Sequence, residues 1–367
     1  MIKNKFLTKF IKLIVYTLSP FVICFLLLIY PFLKIRFSFQ SAERIGEIST
    51  QMEVYLSEKQ LGLCKKRILD IFILTDLISN YTFIELLKKK VLIYPNFLTH
   101  PIYKTLNYLS KYFQFFNHFI LRTKYEDNNF CIMRSNINLA PDDYFIKEGE
   151  SFLKKIGIPQ DAKIICLIVR DETYLKKKFP NKDWEYHNYR NCNIENFKDA
   201  INFATNKGYY VFRMGETVGK DLDIDNNMYI DYSKKFRTDF LDIYLAYRCT
   251  FCITTSTGWD CVPAFTFRKP VLWTNYVPVG NLLTYSPNFI FSFKIHKNKL
   301  SDKNLSLKSI SESNVSYATN SDLYKNSSIE LIENSPNQLV ELTKEMIELV
   351  DDNHNYSVEE LENQKKF

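Results

Sequence analysis

The chain has 367 residues, 46% of them hydrophobic, with 48 Lys and Arg against 41 Asp and Glu for a formal charge of +7. That composition excludes a disordered chain and fits one large or two medium domains, and so mild a charge does not argue for a nucleic acid partner. Only nine glycines are present, where average usage gives roughly 26, and neither GxGxxG nor GxxxxGK[ST] occurs, so the familiar dinucleotide and Walker-type phosphate loops are absent.

Residues 13–33 carry no charge. As a helix they reach about 30 Å, enough to span a bilayer. Lys3, Lys5, Lys9 and Lys12 precede them, Lys34 and Arg36 follow, and no small-residue cleavage site ends the run. Residues 1–33 are therefore expected to be a membrane anchor, spanning or monotopic. Pro20 and Pro31 interrupt the run, as they would in a buried core helix. The eight cysteines are scattered, which indicates reduced thiols and a body on the cytoplasmic side of the inner membrane. Cys249 and Cys252 form a CxxC without further zinc ligands.

Short apolar strands then alternate with helices. Strands are expected at 35–41, 68–74 and 91–94, with Lys66 and Arg67 opening the second. Helices are expected at 47–57, 83–90 and across 101–122. A boundary follows between about Asn138 and Gly157. The second half restarts the alternation. Its expected strands are 163–169, 209–213, 228–231, 251–254 and 270–273. Its helices are 194–207, 238–247 and 258–265. This is the pattern of an α/β fold with a doubly wound parallel sheet. Residues 301–326 read as a loop, 339–350 as an amphipathic helix capped at Ser335-Pro336, and 351–367 as a frayed end. The domain expectation is thus 34–145, 146–320 and a C-terminal helix and tail at 321–367.

In open α/β sheets, ligands bind beyond the carboxyl ends of the strands. Four loops meet that condition: Arg44-Ile45-Gly46-Glu47, Arg170-Asp171-Glu172-Thr173, Arg213-Met214-Gly215, and Thr254 to Asp260. Thr255, Ser256, Thr257 and Gly258 would enter a helix straight from a buried strand, so free backbone N–H groups and hydroxyls would form an anion site. A plain Ser/Thr helix cap reads equally well there. Arg170 and Arg213 end neighbouring strands and could clamp a diphosphate bidentately. Tyr186 to Asn191 packs His187, Arg190 and Asn191 among phenols and amides, a density that suits sugar or nucleotide contacts. His100, His118, His296 and His354 have no such company. Asp221, Asp223 and Asp225 alternate like metal ligands, but a solvated turn accounts for them.

Several of these segments together resemble a family of bacterial, GT-B-like glycosyltransferases associated with surface polysaccharide synthesis. They are Arg44 to Glu47 with Glu53 to Leu56, Val169-Arg170-Asp171 with Tyr174-Leu175, Tyr186 to Asn191, Gly208 to Gly215, Asp239 to Asp242, and Ser256-Thr257-Gly258. The resemblance runs from about Ile35 to Trp273. It implies two Rossmann-like domains facing a cleft, preceded by the membrane helix. A nucleotide-sugar donor would sit on the second domain, against Arg170, Arg190, Asn191, Arg213, Gly215 and Thr255 to Gly258. A lipid-linked or nascent glycan acceptor would sit on the first, near Arg44 and Gly46. No metal or other cofactor is implied, because arginines and helix N-termini would stabilise the leaving diphosphate. An inverting reaction needs a base. Position in related folds points to Glu47, where the family carries histidine, with Asp171 and His187 as the other candidates. The competing reading is a non-catalytic, membrane-tethered glycan-binding or assembly protein on a degenerate fold. A transferase using the Asp221 to Asp225 carboxylates for a metal is a third.

Overall fold

The chain parts into two units between Asp142 and Asp143: Met1–Asp142 with Phe265–Phe267, and Asp143–Ala264 with Arg268–Phe367. The structure is a computed structural model that describes residues 5–64, 67–282, 285–286, 288–352 and 356–366. Lys3, Lys66 and His354, named above, lie outside the described residues.

The first unit runs α1 (Lys5–Ile29), β1 (Lys34–Gln40), α2 (Ile45–Gln60), β2 (Ile68–Leu74), α3 (Tyr81–Lys88), β3 (Leu92–Tyr94), α4 (Asn96–Leu109), a 3-10 turn at Gln114–Phe119 and α5 (Cys131–Arg134). Its strands are parallel in the order β1-β2-β3, and Ile120 bridges to Phe37. The expected helix over 101–122 is two elements instead. α4 begins at Asn96, straight after Pro95, contains Pro101 and stops at Leu109. α1 is a layer of this unit: its Ile23 and Leu26 share a core with Phe37, Ile73, Leu106 and Phe119.

Polar residues of α2 are tied to the sheet and to the loop at Asn138 rather than displayed. Arg36 Nε and Nη2 donate to the two Asp70 oxygens at 2.7 and 2.9 Å, and the Tyr55 hydroxyl donates to Asp70 Oδ2 at 2.8 Å. Glu53, 1% exposed, accepts from Asn138 Nδ2 at 2.7 Å. The segment from Glu53 to Leu56 therefore has a structural role.

The second unit continues α6 (Asp143–Lys155), β4 (Lys163–Ile168), α7 (Thr173–Lys178), α8 (Lys198–Asn206), β5 (Tyr209–Arg213), β6 (Tyr229–Ile230), α9 (Tyr232–Lys235), α10 (Asp239–Arg248) and β7 (Phe251–Thr254). It ends with β8 (Val271–Tyr276), β9 (Phe289–Phe293), β10 (Ile295–Asn298), β11 (Lys303–Asn304), α11 (Leu307–Ser311), α12 (Ser321–Asn326), β12 (Ile329–Ile332), α13 (Pro336–Val350) and α14 (Val358–Lys366). Six strands form one parallel sheet in the order β6-β5-β4-β7-β8-β9. Counted in chain order this is 3-2-1-4-5-6, the doubly wound arrangement, whose direction reverses between its first and fourth strands. Here those strands are β4 and β7. Both are apolar and buried almost throughout, as strands covered on both faces must be. Gly157 and Gly208 follow α6 and α8 at φ 79° and 85°, left-handed positions that close helices without a Cβ penalty.

Several expectations differ from this architecture, among them the frayed end at 351–367, which holds α14. α13, capped by the reciprocal Ser335–Gln338 pair, packs Leu339 and Met346 against Phe197, Ile201 and Ala204. It is thus a layer of the second unit, not part of a separate 321–367 segment. The 301–326 stretch, expected as loop, holds β11, α11 and α12 beside a small antiparallel sheet ordered β11-β10-β12. The α-helix expected at 258–265 is instead a π-helix at Val262–Thr266.

Candidate functional site

The reversal point between β4 and β7 brings two of the expected loops together. The Thr255 hydroxyl, past the end of β7, accepts from Arg170 N at 2.8 Å, past the end of β4. Arg170 O accepts from Cys192 N at 2.9 Å, which joins the Tyr186 to Asn191 loop to the same edge. From that loop Arg190 Nη2 donates to Ser256 O, and to Ser256 Oγ at 3.2 Å. The remaining Nε of Arg190 is buried with no hydrogen-bond partner among the described residues. Both Arg170 and Arg190 lie close enough to Tyr189 to pull its hydroxyl pKa downward, against the larger upward effect of burial. The loops that carry Arg170 and Arg190 therefore meet at this edge. Lys294, only 5% exposed, adds an ammonium that donates to Asn191 O at 2.6 Å. Sequence reasoning missed Lys294, because its place on the edge comes from β9 and β10, which had no expected strands.

The backbone of the turn is arranged differently from expectation. Thr257 N and Gly258 N, expected to face an anion, donate to Asp260 Oδ2 and Oδ1 at 2.9 and 2.7 Å. Thr254 Oγ1 donates to the same carboxylate at 2.7 Å, and Asp260 is 1% exposed. Thr255 N donates to Ile168 O, and Ser256 N to Thr254 Oγ1 at 3.1 Å. The protein's own carboxylate thus occupies the place assigned to a phosphate. The turn still holds Ser256 at φ 63°, a left-handed conformation uncommon for a residue with a side chain. The Thr257 hydroxyl is buried without a partner among the described residues.

Arg213 also departs from its expected role. It is 3% exposed, its Nη2 donates to Lys220 O at 2.6 Å, and its Nη1 lies 3.5 Å from Asp231 Oδ2. Both ends of the guanidinium are engaged internally, so it braces the loop after β5. Gly215 continues that loop at φ 145°, with Val218 filling the space where a side chain would point. Asp171 is likewise structural. Its oxygens accept from Thr173 N at 2.8 Å and Gly219 N at 2.9 Å, tying the loops after β4 and β5 to each other. His187 lies in an aromatic stack, 5.9 Å from Trp184, 4.1 Å from Tyr186 and 6.3 Å from Tyr189 between ring centroids. Asn191 turns its amide to Asn188 Oδ1. Asp221, Asp223 and Asp225 are exposed while Leu222 between them is buried, and Asp221 pairs with Lys234.

In the first unit, Arg44 caps α2 at the end of β1 with an extended backbone. Glu47 sits in the first turn and shares a hydrogen bond with the Tyr125 hydroxyl, whose pKa is raised by desolvation and then by the Glu47 charge. Thr123 Oγ1 donates to Gln51 Oε1 at 2.7 Å and accepts from Gln40 Nε2 at 2.9 Å, and Gln40 Nε2 also donates to Ser38 Oγ at 2.7 Å. A polar cluster thus lies at the carboxyl end of β1, around Glu47. Gly46 serves it only through its carbonyl, which accepts from Thr50 Oγ1 at 2.8 Å. Gln51, Thr123 and Tyr125 were missed. The available signal was the alternation of β1, which sets Lys34, Arg36, Ser38 and Gln40 on one face against Ile35, Phe37 and Phe39 on the other.

No family model matches the chain, and no curated protein matches its sequence. Among solved structures, the glycosyl transferase family 9 protein from Veillonella parvula is similar over 86% of this chain and 97% of its own, at 12% identity and a TM-score of 0.45.

Proposed function

We propose that the protein is a membrane-associated glycosyltransferase that moves a sugar from a nucleotide-sugar donor to a lipid-linked or nascent surface glycan. The observation that carries this reading is the meeting of the Arg170 and Arg190 loops at the β4–β7 reversal, with the Arg190 guanidinium held by Ser256 and its Nε without a partner among the described residues. A diphosphate there would be bound by side-chain cations rather than by turn amides. Such cations stabilise negative charge as it develops on a leaving group, without a metal. The Glu47 cluster supplies a carboxylate at a strand end, which suits removal of a proton from an acceptor hydroxyl.

A thermal-shift screen of nucleoside diphosphates and nucleotide sugars tests the donor site. A ligand that raises the melting temperature of the native chain and fails to raise that of Arg190→Ala is expected. A screen in which no nucleotide shifts the protein would sink the donor reading. The second reading, a glycan-binding protein on a degenerate fold, is favoured by one observation: Asp260 occupies the turn amides. It predicts no nucleotide hit in that screen and a raised melting temperature when glycan oligosaccharides are screened in their place.

A further inference from the structure

α1 is apolar around its circumference, yet one side of it is packed against protein. The packed stripe includes Ser19, Ile23 and Leu26, at 1%, 5% and 4% exposure. Contacts follow the helix along its length. Lys12 lies 3.9 Å from Asp76, Ser19 Oγ is 3.3 Å from Thr105 Oγ1, and the Tyr30 ring meets Phe115 and Phe119. The other side exposes Phe10, Phe21, Phe25 and Leu28 at 53%, 72%, 59% and 74%. A bilayer-crossing α1 would either leave this core or carry Lys104 and Asn107 of α4 toward the hydrocarbon, where polar groups are costly.

The exposed side continues onto an aromatic rim formed by Tyr108, Tyr112, Phe113 and Phe115. Beside it, between α1 and α4, lies a groove of about 420 Å³ lined by Tyr16, Lys104, Thr105, Asn107, Tyr108 and Lys111. Aromatic rings at a rim, lysines behind them and an apolar helix beyond are the parts of an interfacial membrane site. The lysines supply the charge complementarity that selects an anionic surface.

We propose that α1 lies in the plane of an anionic membrane surface, its outer stripe in the acyl region and the Lys104–Lys111 groove on a lipid headgroup phosphate. This rests on the membrane part of the function proposed above and is independent of sugar transfer.

Flotation of the full chain with vesicles tests it without any transferase assay. Binding to vesicles of 30% phosphatidylglycerol in phosphatidylcholine is expected, with weaker binding to phosphatidylcholine alone. A lysine near an anionic surface is worth roughly fivefold in affinity. The double variant Lys104→Glu/Lys111→Glu should therefore lose at least about tenfold in affinity while melting at the native temperature. Equal binding to both vesicles, or no effect of the double variant, would overturn the headgroup groove. Orientation is read with fluorophores on Phe10→Cys, Phe21→Cys and Leu28→Cys, each in a chain whose Cys24, Cys64 and Cys261 are serine. Quenching of all three by a shallow nitroxide lipid supports the in-plane helix. A depth that changes steadily from position 10 to position 28 shows a spanning helix and refutes it, as does failure of the native chain to bind vesicles.

Discussion

Replacing Asp260 by asparagine separates two accounts of the turn after β7. The carboxylate accepts Thr254 Oγ1 at 2.7 Å, Thr257 N at 2.9 Å and Gly258 N at 2.7 Å while almost fully buried. Hydrogen bonds to an ionised acceptor contribute about 1.5–3 kcal/mol each, and a buried N–H left unpaired costs about 1–3 kcal/mol. Asparagine keeps one acceptor oxygen and sets an amide donor against a backbone donor. The expected loss is about 3–5 kcal/mol, which lowers the melting temperature by about 6–20 °C in a unit of this size. Thr257→Val is the companion variant. Its hydroxyl is buried with no partner among the described residues, so replacing it by a methyl should leave stability unchanged or raise it by up to about 3 kcal/mol. Thermal denaturation of both variants, with and without a nucleoside diphosphate, is the assay. If Asp260 were only standing in for a ligand phosphate, Asp260→Asn would keep its melting temperature and bind the diphosphate more tightly. That outcome would refute the internal role argued here.

Asp242 gives a pH test. Burial raises its carboxyl pKa to about 7, against the opposing effects of Arg237 and the Tyr232 hydroxyl. The folded state then holds the proton more tightly than the unfolded chain, so this stability is full below about pH 4 and falls as pH rises through 7. Melting curves from pH 5 to 8 should show a decline of up to about 1.4 kcal/mol per pH unit that Asp242→Asn removes; equal slopes in the two proteins would count against it. Gly149→Ala would place a methyl 2.1 Å from the Tyr244 ring between α6 and α10, costing about 1–3 kcal/mol by urea denaturation. Arg213→Ala should lower stability by about 3 kcal/mol, since it leaves Asp231 without its buried partner. Nucleoside diphosphate affinity should stay unchanged by calorimetry, and a lost affinity would restore Arg213 to the donor site. Glu47→Gln should slow sugar transfer at least about 100-fold and leave donor affinity intact; normal turnover would remove Glu47 as the base.

The sheet of the second unit was legible because both of its faces are covered. Runs such as Ile164 to Ile168 and Phe251 to Thr254 are continuously buried, and a fully buried strand shows in the sequence as an unbroken apolar run. The strand ends are legible for the same reason, which puts Arg170 and Thr255 at the ends of buried strands from the sequence alone. Elements with mixed exposure were harder to see. β9 is half-buried along its whole length, β11 is exposed, and α12 lies in a stretch of serine and asparagine that reads as loop. The circumferential apolarity of α1 showed in the sequence, but the stripe that packs on α4 did not. A helix with two apolar sides gives no periodic signal to say which side meets protein.

Partner choice was the least legible property of the site, and the reason is physical. The Ser-Thr-Gly composition of the turn shows that donors will gather at a strand end; it carries no information about which acceptor reaches them. Asp260, two residues past Gly258, is tethered to the turn and so present at high local concentration, and it satisfies amides that a diffusing phosphate would otherwise take. Arg213 meets the same competition from Asp231 and the Lys220 carbonyl. Within the proposed function, the donor's phosphates would fall to the side-chain cations of this region, Arg170 and Arg190 with Lys294. A diphosphate site built on such groups depends on Coulomb attraction more than on a fixed amide cradle. Within the proposed function, donor affinity should therefore weaken with ionic strength more than it would at a turn-amide site.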